Sequence, residues 1–348
     1  MFFLLLLFIP FNVYSKASST IVMDVDSGRI IYEDNINDKR LIASITKIMT
    51  CILTIENSDL NKKIIVGDEV IKMYGTNIYL EVVEEITIKD LLYGLMLRSG
   101  NDASATLAVN VSGSIDNFVK LMNDKASSLG MTNTIFSNPS GLDDDTKNYS
   151  TARDMAILSR YAFNNKIFRE IISTKRYKTK TNVRDYIWYN RVSILNNYKY
   201  SLGGKNGYTP SAGKTLVSFA RKNNLKLLIV TLNDSDIYDN HEKLFNYYFS
   251  KYSNYKIIDK KTFKIDTNLI SKDVYIKDNF IYPLKDNELD NVSTLIRISN
   301  NKNNNIGNII IKLNDNEIGN IKIYSKNKKE DKLNIFQKFI KLFIWYSV

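Results

Sequence analysis

Cysteine is almost absent from this sequence, which is 348 residues long and 44% hydrophobic. The single cysteine, Cys51, excludes an intramolecular disulfide, so the fold must depend on its apolar core. Cys51 lies in an apolar helical stretch, which is typical of a small buried hydrophobic residue rather than a reactive thiol. The chain is long enough to bury a full core, and its length favours two domains.

Histidine is equally scarce, and this restricts the hydrolase mechanisms that the chain can use. A Ser-His-Asp triad or a zinc peptidase site needs at least one well-placed imidazole. The only histidine, His241, lies beside Glu242 in an amphipathic segment, where we expect a surface or packing role. A lysine is therefore the natural base for a serine nucleophile in this sequence.

Acidic residues are fewer than basic ones, and the formal net charge is +11. The lysines are scattered among Asn and Ile without a basic stripe or a binding motif, so we expect no nucleic-acid partner. An anionic cell envelope fits this charge. A genomic bias toward Lys and Asn codons explains it equally well.

The N-terminus carries a short apolar segment. Residues 1–17 combine a run of Phe and Leu with Ser15-Lys16-Ala17, whose small residues have the spacing that a signal peptidase reads. The run is short for a transmembrane helix, and the usual basic start is missing. We expect a cleaved secretory signal, with an uncleaved anchor as the alternative, and a location at the extracytoplasmic face of the cytoplasmic membrane.

The patterns along the chain predict an α+β domain over residues 18–254. A β-hairpin is predicted first, because two extended runs flank Asp26-Ser27-Gly28. A block of helices follows between residues 44 and 163, with apolar residues at helical spacing. Two strand patterns, Thr215–Arg221 and Leu225–Leu232, then precede a last helix over Tyr238–Tyr252. The sheet is thus assembled from both ends of the domain.

The C-terminal part has a different pattern. Residues 255–325 contain short β-rich runs broken by Asn and Asp, which predicts a small separate β domain. In the tail, residues 326–348, aromatic and aliphatic side chains recur at helical spacing beside lysines: Phe336, Phe339, Ile340 and Phe343 with Lys332, Lys338 and Lys341. This pattern predicts an amphipathic helix at a membrane interface, and an ordinary helix docked on the protein is the alternative.

The first segment with chemical potential is Ser44-Ile45-Thr46-Lys47, at the start of a predicted helix. One helical turn places residues i and i+3 on the same face, so the Lys47 amine can reach the Ser44 hydroxyl. Serine becomes a strong nucleophile when a base with a lowered pKa removes its proton. The motif alone is weak, because chance matches are common.

Two further segments strengthen it. Ser99-Gly100-Asn101 places a hydroxyl and an amide in one turn, where the hydroxyl can relay a proton and the amide can hold a peptide backbone. A helix-capping turn is the simpler interpretation of this segment alone. The segment from Lys205 to Thr209 supplies a cation, and Gly207 permits close approach of a substrate backbone. The N–H groups of Tyr208 and Ser44 can then form an oxyanion hole.

Together these segments resemble the Ser-x-x-Lys, Ser-x-Asn and Lys-Thr-Gly motifs of the low-molecular-mass penicillin-binding proteins, which are serine D-Ala-D-Ala carboxypeptidases. The resemblance extends from Ser19 to Phe249. It is supported by four further segments: Leu95–Ala103, Asn138–Asp143, Tyr149–Asp154 and Ala212-Gly213. It implies a β-lactamase/transpeptidase-like domain, in which an antiparallel sheet carries an all-helical subdomain, followed by a small β-rich domain and a membrane-binding C-terminal helix.

The resemblance also implies the mechanism. Ser44 would attack the carbonyl between the two terminal D-alanines of a peptidoglycan stem peptide, Lys47 would accept its proton, and Ser99 would relay a proton. β-Lactam antibiotics would acylate Ser44 as mimics of that dipeptide, and the tail would bind the outer leaflet of the cytoplasmic membrane. No metal or organic cofactor is implied. The implied substrate-binding residues are Asn101, Lys205, Gly207, Tyr208 and Thr209.

The sequence departs from the family pattern where a carboxylate must be recognised. Asn206 stands where the third motif usually has Thr, and Ile237 stands near an arginine that many members place before the last helix. Both changes weaken anion binding, so we expect lower activity or an altered substrate preference. Two alternatives are a β-lactamase-like hydrolase, for which no deacylating glutamate is identifiable, and a catalytically weak cell-wall-binding module. Retention of the motif residues argues against the second alternative.

Overall fold

The computed structural model describes residues 17–265, 274–298, 304–325 and 339–342. The chain divides into two compact units, Met1–Tyr248 and Phe249–Val348, and each is described here by itself. The domain boundary expected from the sequence, between residues 254 and 255, lies a few residues after the observed boundary between the two units. Residues 1–16 of the expected signal fall outside the described residues, so its cleavage stays a prediction.

The helices and strands of the chain have the following bounds. The described helices are α1 (Lys47–Asn57), α2 (Ile88–Tyr93), α3 (Asn101–Ser112), α4 (Ile115–Ser128), α5 (Ala152–Phe163), α6 (Lys166–Ser173), α7 (Ile194–Asn197) and α8 (Ile237–Lys251). The strands up to residue 232 are β1 (Ser19–Asp24), β2 (Ile30–Asp34), β3 (Arg40–Leu41), β4 (Lys63–Ile65), β5 (Glu85–Thr87), β6 (Tyr149–Ser150), β7 (Arg176–Lys180), β8 (Asp185–Tyr189), β9 (Ser201–Thr209), β10 (Gly213–Lys222) and β11 (Leu225–Leu232).

A five-stranded antiparallel sheet forms the centre of the first unit, in the order β2-β1-β11-β10-β9. Every residue of β1 and nearly every residue of β11 is buried, as expected for central strands covered on both faces. The predicted hairpin β1–β2 forms one edge of the sheet and is confirmed. At the other edge lies β9, which carries the segment from Lys205 to Thr209.

The predicted helical block is confirmed, and some of its helices begin at a side-chain N-cap. The Ser114 side chain accepts a hydrogen bond from the N–H of Asn117 at the start of α4, and the Thr151 side chain does the same for Asp154 in α5. Between α1 and the sheet the core is continuous and apolar. The hairpin β7–β8 and helix α6 were not among the predicted elements.

The two residues highlighted by their scarcity are both buried. Cys51 lies in the core within α1, and burial raises the pKa of its thiol, so it packs as a hydrophobic residue as predicted. His241 of α8 lies between the Ser218 and Thr231 hydroxyls, with Nδ1 2.7 Å from Ser218 Oγ and Nε2 3.0 Å from Thr231 Oγ1. His241 is therefore a buried residue with which α8 packs against β10 and β11, rather than a surface residue.

The second unit is rich in β-structure, as predicted. Its strands are β12 (Ser253–Ile258), β13 (Val274–Tyr275), β14 (Phe280–Leu284), β15 (Val292–Ile298), β16 (Asn305–Leu313), β17 (Asn316–Ser325) and β18 (Phe339–Leu342). β12 pairs with β14, and the others form a sheet in the order β13-β17-β16-β15-β18. An apolar core that includes Ile296, Ile311 and Ile323 lies within this unit.

The predicted C-terminal helix is wrong for the part of the tail that the structure describes. Phe339–Leu342 form β18, which pairs antiparallel with β15 over Thr294–Arg297. Backbone pairing with an open strand edge thus takes precedence over the helical spacing of the side chains there. The rest of residues 326–348 lies outside the described residues. Among the helices that are described, none has the length and apolar character needed to cross a membrane.

The burial of His241 gives a testable dependence of stability on pH. Burial lowers the pKa of His241 to about 3, below its ordinary value of 6.5. The unfolded chain therefore binds a proton below about pH 6.5 that the folded chain does not bind. As pH is lowered from there, the free energy of unfolding falls by up to about 1.4 kcal/mol per pH unit. For His241→Gln, urea denaturation between about pH 7 and pH 5 should show a flatter dependence. Equal slopes in the two proteins would contradict this assignment.

Candidate active site

Ser44 and Lys47 lie together at the entrance to α1. A 3₁₀ turn over Ala43–Thr46 leads directly into the helix, and its spacing of three residues per turn aligns positions 44 and 47. Lys47 Nζ lies 3.1 Å from Ser44 Oγ, and the Lys47 side chain is fully buried. The predicted contact between Ser44 and Lys47 is therefore present.

The environment of Lys47 favours its neutral form. Its pKa lies well below the ordinary value of 10.5, first because burial disfavours the ammonium and then because the Lys205 charge repels it. Two oxygen acceptors also contact the amine: Asn101 Oδ1 at 2.7 Å and the Ser140 carbonyl oxygen at 2.6 Å. The structure thus brings the first and second motifs together on one lysine.

The Ser140 carbonyl is a contact that the sequence reasoning did not identify. It belongs to the turn Asn138-Pro139-Ser140-Gly141, in which Asn138 Oδ1 accepts hydrogen bonds from the N–H groups of Ser140 and Gly141. Gly141 has φ +88°, and a methyl group there would overlap the Ala43 carbonyl oxygen. The turn therefore lies directly against the segment that carries Ser44. Its sequence, Asn-Pro-Ser-Gly, is a turn signal, but a signal of this kind does not show which atom the turn will present.

The second motif occupies a turn between two helices. Ser99 has a left-handed backbone with φ 67° and is buried, and Asn101 begins α3. Asn101 Nδ2 donates to the Tyr74 carbonyl at 2.7 Å, so the Asn101 amide is fixed at both of its ends. A left-handed conformation at a non-glycine residue is uncommon and concentrates at functional sites.

Asp102 fixes the segment that borders this motif and was not identified from the sequence. Its carboxylate accepts hydrogen bonds from the backbone N–H groups of Ile78 and Leu80, at distances between 3.0 and 3.1 Å. The Asp102 N–H in turn donates to Asn77 Oδ1. These contacts join residues separated by more than twenty positions, so local sequence patterns do not indicate them.

The third motif lies on the edge strand β9. Lys205 is fully buried and its Nζ donates to the Asn206 carbonyl oxygen at 2.7 Å. Burial first, and then the charge of Arg191, together lower the pKa of Lys205 to about 7. A Cβ atom at Gly207 would lie 2.6 Å from the Ser44 backbone nitrogen, so only glycine lets the strand approach the nucleophile this closely.

Tyr208 and Thr209 complete the predicted set. The Tyr208 side chain is exposed, so its predicted contribution to an oxyanion hole would come from its N–H group on the strand next to Gly207. Thr209 Oγ1 donates to Asp143 Oδ2 at 2.6 Å and also accepts from the Ala212 N–H. Thr209 thus connects β9 to the loop that carries Ser140, and its predicted contact with substrate stays a prediction.

Arg191 is a further cation at the site that the sequence reasoning missed. Its Nη1 lies 3.4 Å from Thr76 Oγ1, and its backbone N–H donates to the Leu97 carbonyl. The Arg191 charge contributes, after burial, to the lowered pKa of Lys205. Ile237, where a family arginine was expected nearby, is a buried apolar residue at the start of α8. Arg191 therefore supplies a guanidinium to the site from a different element.

A serine in contact with a buried lysine of lowered pKa, at the junction of a helical block and an antiparallel sheet, defines a serine hydrolase of the acyl-transfer class. The family model described as D-alanyl-D-alanine carboxypeptidase, Peptidase S11, matches residues 10–236. The chain belongs to this family, as the resemblance implied.

Individual relatives agree with this assignment. The D-alanyl-D-alanine carboxypeptidase DacF of Bacillus subtilis is 34% identical over 251 residues, which cover 70% of this chain and 64% of the relative. DacA of Haemophilus influenzae is 29% identical over 266 residues, again covering 64% of the relative. The match thus spans less than two thirds of the length of these curated relatives.

Solved structures confirm the α+β fold. The D-alanyl-D-alanine carboxypeptidase DacD from Francisella tularensis superposes with a TM-score of 0.71 at 26% identity, covering 91% of this chain and 94% of that one. Penicillin binding protein 5 from Haemophilus influenzae gives a TM-score of 0.76 at 24% identity, covering 90% and 97%, which is a likeness of fold.

The contact between Gly141 and Ala43 leads to a prediction with a matched control. Gly141→Ala should destabilise the chain by about 3 kcal/mol, because the methyl group displaces backbone beside Ser44, and it should abolish acylation by a fluorescent penicillin. Gly130 also has a positive φ, +76°, but nothing lies within 4 Å of its Cβ direction. Gly130→Ala should therefore cost about 1 kcal/mol and leave acylation intact. Equal losses of acylation in the two variants would contradict the role of this turn.

Proposed function

We propose that this chain is a serine D-Ala-D-Ala carboxypeptidase that removes the terminal D-alanine from peptidoglycan stem peptides through an acyl-enzyme on Ser44. The observation that carries the proposal is the contact between Ser44 and the buried Lys47 amine. Family membership supports the same substrate class. The reaction class corresponds to hydrolysis of a C-terminal peptide bond by an active serine.

The hydrogen bonds of Lys47 support its role as the base. In the neutral amine, two N–H groups donate to Asn101 Oδ1 and to the Ser140 carbonyl, and the remaining lone pair accepts the Ser44 O–H. Lys47 thus takes the Ser44 proton as the Oγ–carbon bond forms. The proton passes to the leaving amine, with Ser99 as the relay, and water then hydrolyses the ester.

The approach of β9 to the nucleophile supports the oxyanion hole. Because Gly207 lies against the Ser44 backbone nitrogen, the N–H groups of Ser44 and Tyr208 are the donors available to the tetrahedral oxyanion. Preorganised backbone donors of this kind contribute roughly 3–4 kcal/mol to transition-state stabilisation. Asn101 would hold the substrate backbone on the opposite side of the cleft.

Recognition of the terminal carboxylate would depend on Lys205 and Arg191. Lys205 supplies a buried charge, and the Arg191 guanidinium adds a fork that suits a carboxylate. Asn206 contributes an amide where a hydroxyl is usual in the family, and this supports a weaker or altered preference. β-Lactam antibiotics, which carry a carboxylate beside their reactive amide, would acylate Ser44 in the same way.

The proposed location is the extracytoplasmic face of the cytoplasmic membrane. The net charge of +11 and the apolar N-terminal segment support export to an anionic envelope. The peptidoglycan substrate requires the same location. Contact with the outer leaflet through the tail is a further part of this proposal, and it is supported by the aromatic residues and lysines of the tail outside Phe339–Leu342.

The nucleophile assignment is tested with the full-length chain and Ser44→Ala. A fluorescent penicillin should label the parent and not the variant, and release of D-alanine from an acylated D-Ala-D-Ala peptide should fall by about 10³-fold or more. Ser128→Ala, at an exposed helix end, serves as the control and should behave as the parent. Labelling of Ser44→Ala would show that another residue is the nucleophile.

The role of Arg191 is tested by the pH dependence of kcat/KM. Protonated Lys205 binds the carboxylate, so activity should decline as pH rises through its pKa of about 7. Arg191→Gln removes a repelling charge, which raises the pKa of Lys205 and moves the alkaline decline to higher pH, while KM increases about 10-fold. Arg191→Lys retains the charge and should keep the decline near its original pH. A decline that moves to lower pH in Arg191→Gln would contradict the assignment.

A further inference from the structure

A cavity of about 400 Å³ lies in the first unit, at the end of the central sheet that is opposite the third motif. Its walls come from the turn between β1 and β2, the C-terminal end of α5, helix α6, and strands β9, β10 and β11. This volume lies within the range of about 300–1,000 Å³ that small-molecule sites occupy. None of the residues that line it takes part in the proposed acyl transfer.

The register of the sheet separates this cavity from the candidate active site. Arg221 lines the cavity near the end of β10, whereas Val217 of the same strand pairs with Lys205 of the third motif. These two positions of β10 are about 13 Å apart along an extended strand. A ligand in the cavity would therefore be separate from a substrate bound at Ser44.

Three basic side chains converge on the cavity from different elements: Arg169 of α6, Arg221 of β10 and Lys226 of β11. Arg221 and Lys226 are directly opposite in the antiparallel register, where like charges destabilise a sheet. One carboxylate lines the same cavity, that of Asp26, with Oδ1 2.6 Å from Lys226 Nζ. Three positive charges and one negative charge leave a net charge of +2 at the cavity.

The Arg169 guanidinium is held in position by the end of α5. Its Nη1 donates to the Phe163 carbonyl oxygen at 2.6 Å, and its central carbon lies 5.7 Å from the centroid of the Phe163 ring. A guanidinium has several N–H donors, so others remain for a ligand. Arg169 is thus ordered for binding before a ligand arrives.

Arg221 supplies a second guanidinium beside the same aromatic ring. Two residues before it on the same face of β10, Phe219 stacks on Phe163 with the ring centroids 4.3 Å apart. Within the described part of the chain, the Arg221 side chain has no hydrogen-bond or ion-pair partner, and its backbone N–H donates to the Tyr200 carbonyl. A bound anion would pair with this guanidinium and offset its repulsion from Lys226.

The turn between β1 and β2 closes the cavity and is fixed in place. Arg160 of α5 donates from Nε to the Val25 carbonyl and from Nη2 to the Asp26 carbonyl, both at 2.7 Å. Val25 and Phe163 are buried, and with Leu202 they give the cavity an apolar wall. The cavity thus combines fixed cations with space for a small organic group.

We propose that this cavity binds a phosphate group. A carboxylate has two oxygens, which one guanidinium fork satisfies, whereas a phosphate can accept from Arg169 and Arg221 at the same time. Lys226 adds a further cation, although it shares its charge with Asp26. Free phosphate, a soluble phosphate ester and a lipid headgroup all present this chemistry, and the experiment distinguishes them.

The test measures binding to the full-length chain of three phosphate probes and one carboxylate probe. Calorimetric titration is made with inorganic phosphate, glycerol phosphate and acetate, and sedimentation is made with phosphatidylglycerol vesicles. At least one phosphate probe should bind with a Kd of about 1 mM or lower, and the tightest of the three identifies the source. Acetate should bind at least about 10-fold more weakly. Weaker binding of all three phosphate probes, or acetate binding of equal strength, would overturn the proposal.

Two neighbouring residues of β10 provide a variant and its matched control. Arg221→Gln should raise the Kd of the tightest phosphate probe at least about 10-fold, because it removes the guanidinium that has no partner. Lys222→Gln removes the same charge from the opposite face of the strand, where Nζ lies 5.6 Å from the Tyr200 ring centroid. This control should change the Kd by less than about 2-fold. Equal weakening in the two variants would indicate general attraction to a basic surface and would overturn the site.

Thermal unfolding gives a second measurement that also verifies folding. Without phosphate, Arg221→Gln should unfold at the Tm of the parent or above it, because the repulsion from Lys226 is removed. A saturating phosphate probe should raise the Tm of the parent and of Lys222→Gln, and not that of Arg221→Gln. A rise of the same size in Arg221→Gln and the parent would overturn the assignment of this cavity. The proposal does not depend on the acyl-transfer function, since neither measurement uses Ser44.

Discussion

The burial of the Lys47 amine is the constraint on which the rest of the site depends. A buried ammonium without compensation is costly, and the chain meets this cost by lowering the pKa and by placing two oxygen acceptors on the amine. These acceptors come from α3 and from the turn at Ser140, which are distant in sequence. The helical block, the turn and the start of α1 must therefore assemble together before Ser44 has a base. Stability and reactivity are coupled at this residue.

Three basic residues, Arg191, Lys205 and Lys47, then set the electrostatics of the site. Arg191 lowers the pKa of Lys205, and Lys205 lowers that of Lys47, so each charge favours the neutral form of the next residue inward. The innermost lysine can thus act as a base, while the outer two remain available to an anion. A substrate carboxylate beside Lys205 would offset the repulsion that Lys205 exerts on Lys47, but the pKa of Lys47 would stay low because burial is its larger cause.

The sequence predicts the parts of this arrangement that are local. Ser44 and Lys47 are one turn apart, the Ser99 and Asn101 positions lie in one short turn, and the order of hairpin, helices and returning strands follows from periodicity and caps. Three features were not predicted: the contact of the Ser140 carbonyl with Lys47, the hydrogen bonds that Asp102 accepts, and the position of Arg191. Each acts across a long sequence separation, and a backbone carbonyl carries no signature in the residue type. In the tail, the sequence shows a clear local pattern that predicts the wrong structure. Its side chains have helical spacing, but the described segment pairs with the edge of β15.

Burial distinguishes Asn206, one of the two departures from the family pattern, from the motif residues that are retained. Lys47, Asn101 and Lys205 are buried, and Gly207 lies in contact with the Ser44 backbone, so a substitution at any of them leaves an unpaired polar group or a clash. Asn206 is only partly buried and borders an open cavity, where a different side chain can be solvated. Under the proposed function, a change at Asn206 would affect recognition of the substrate carboxylate and would leave the contact between Ser44 and Lys47 in place. Substrate preference can therefore diverge in this chain while the acyl-transfer chemistry stays fixed.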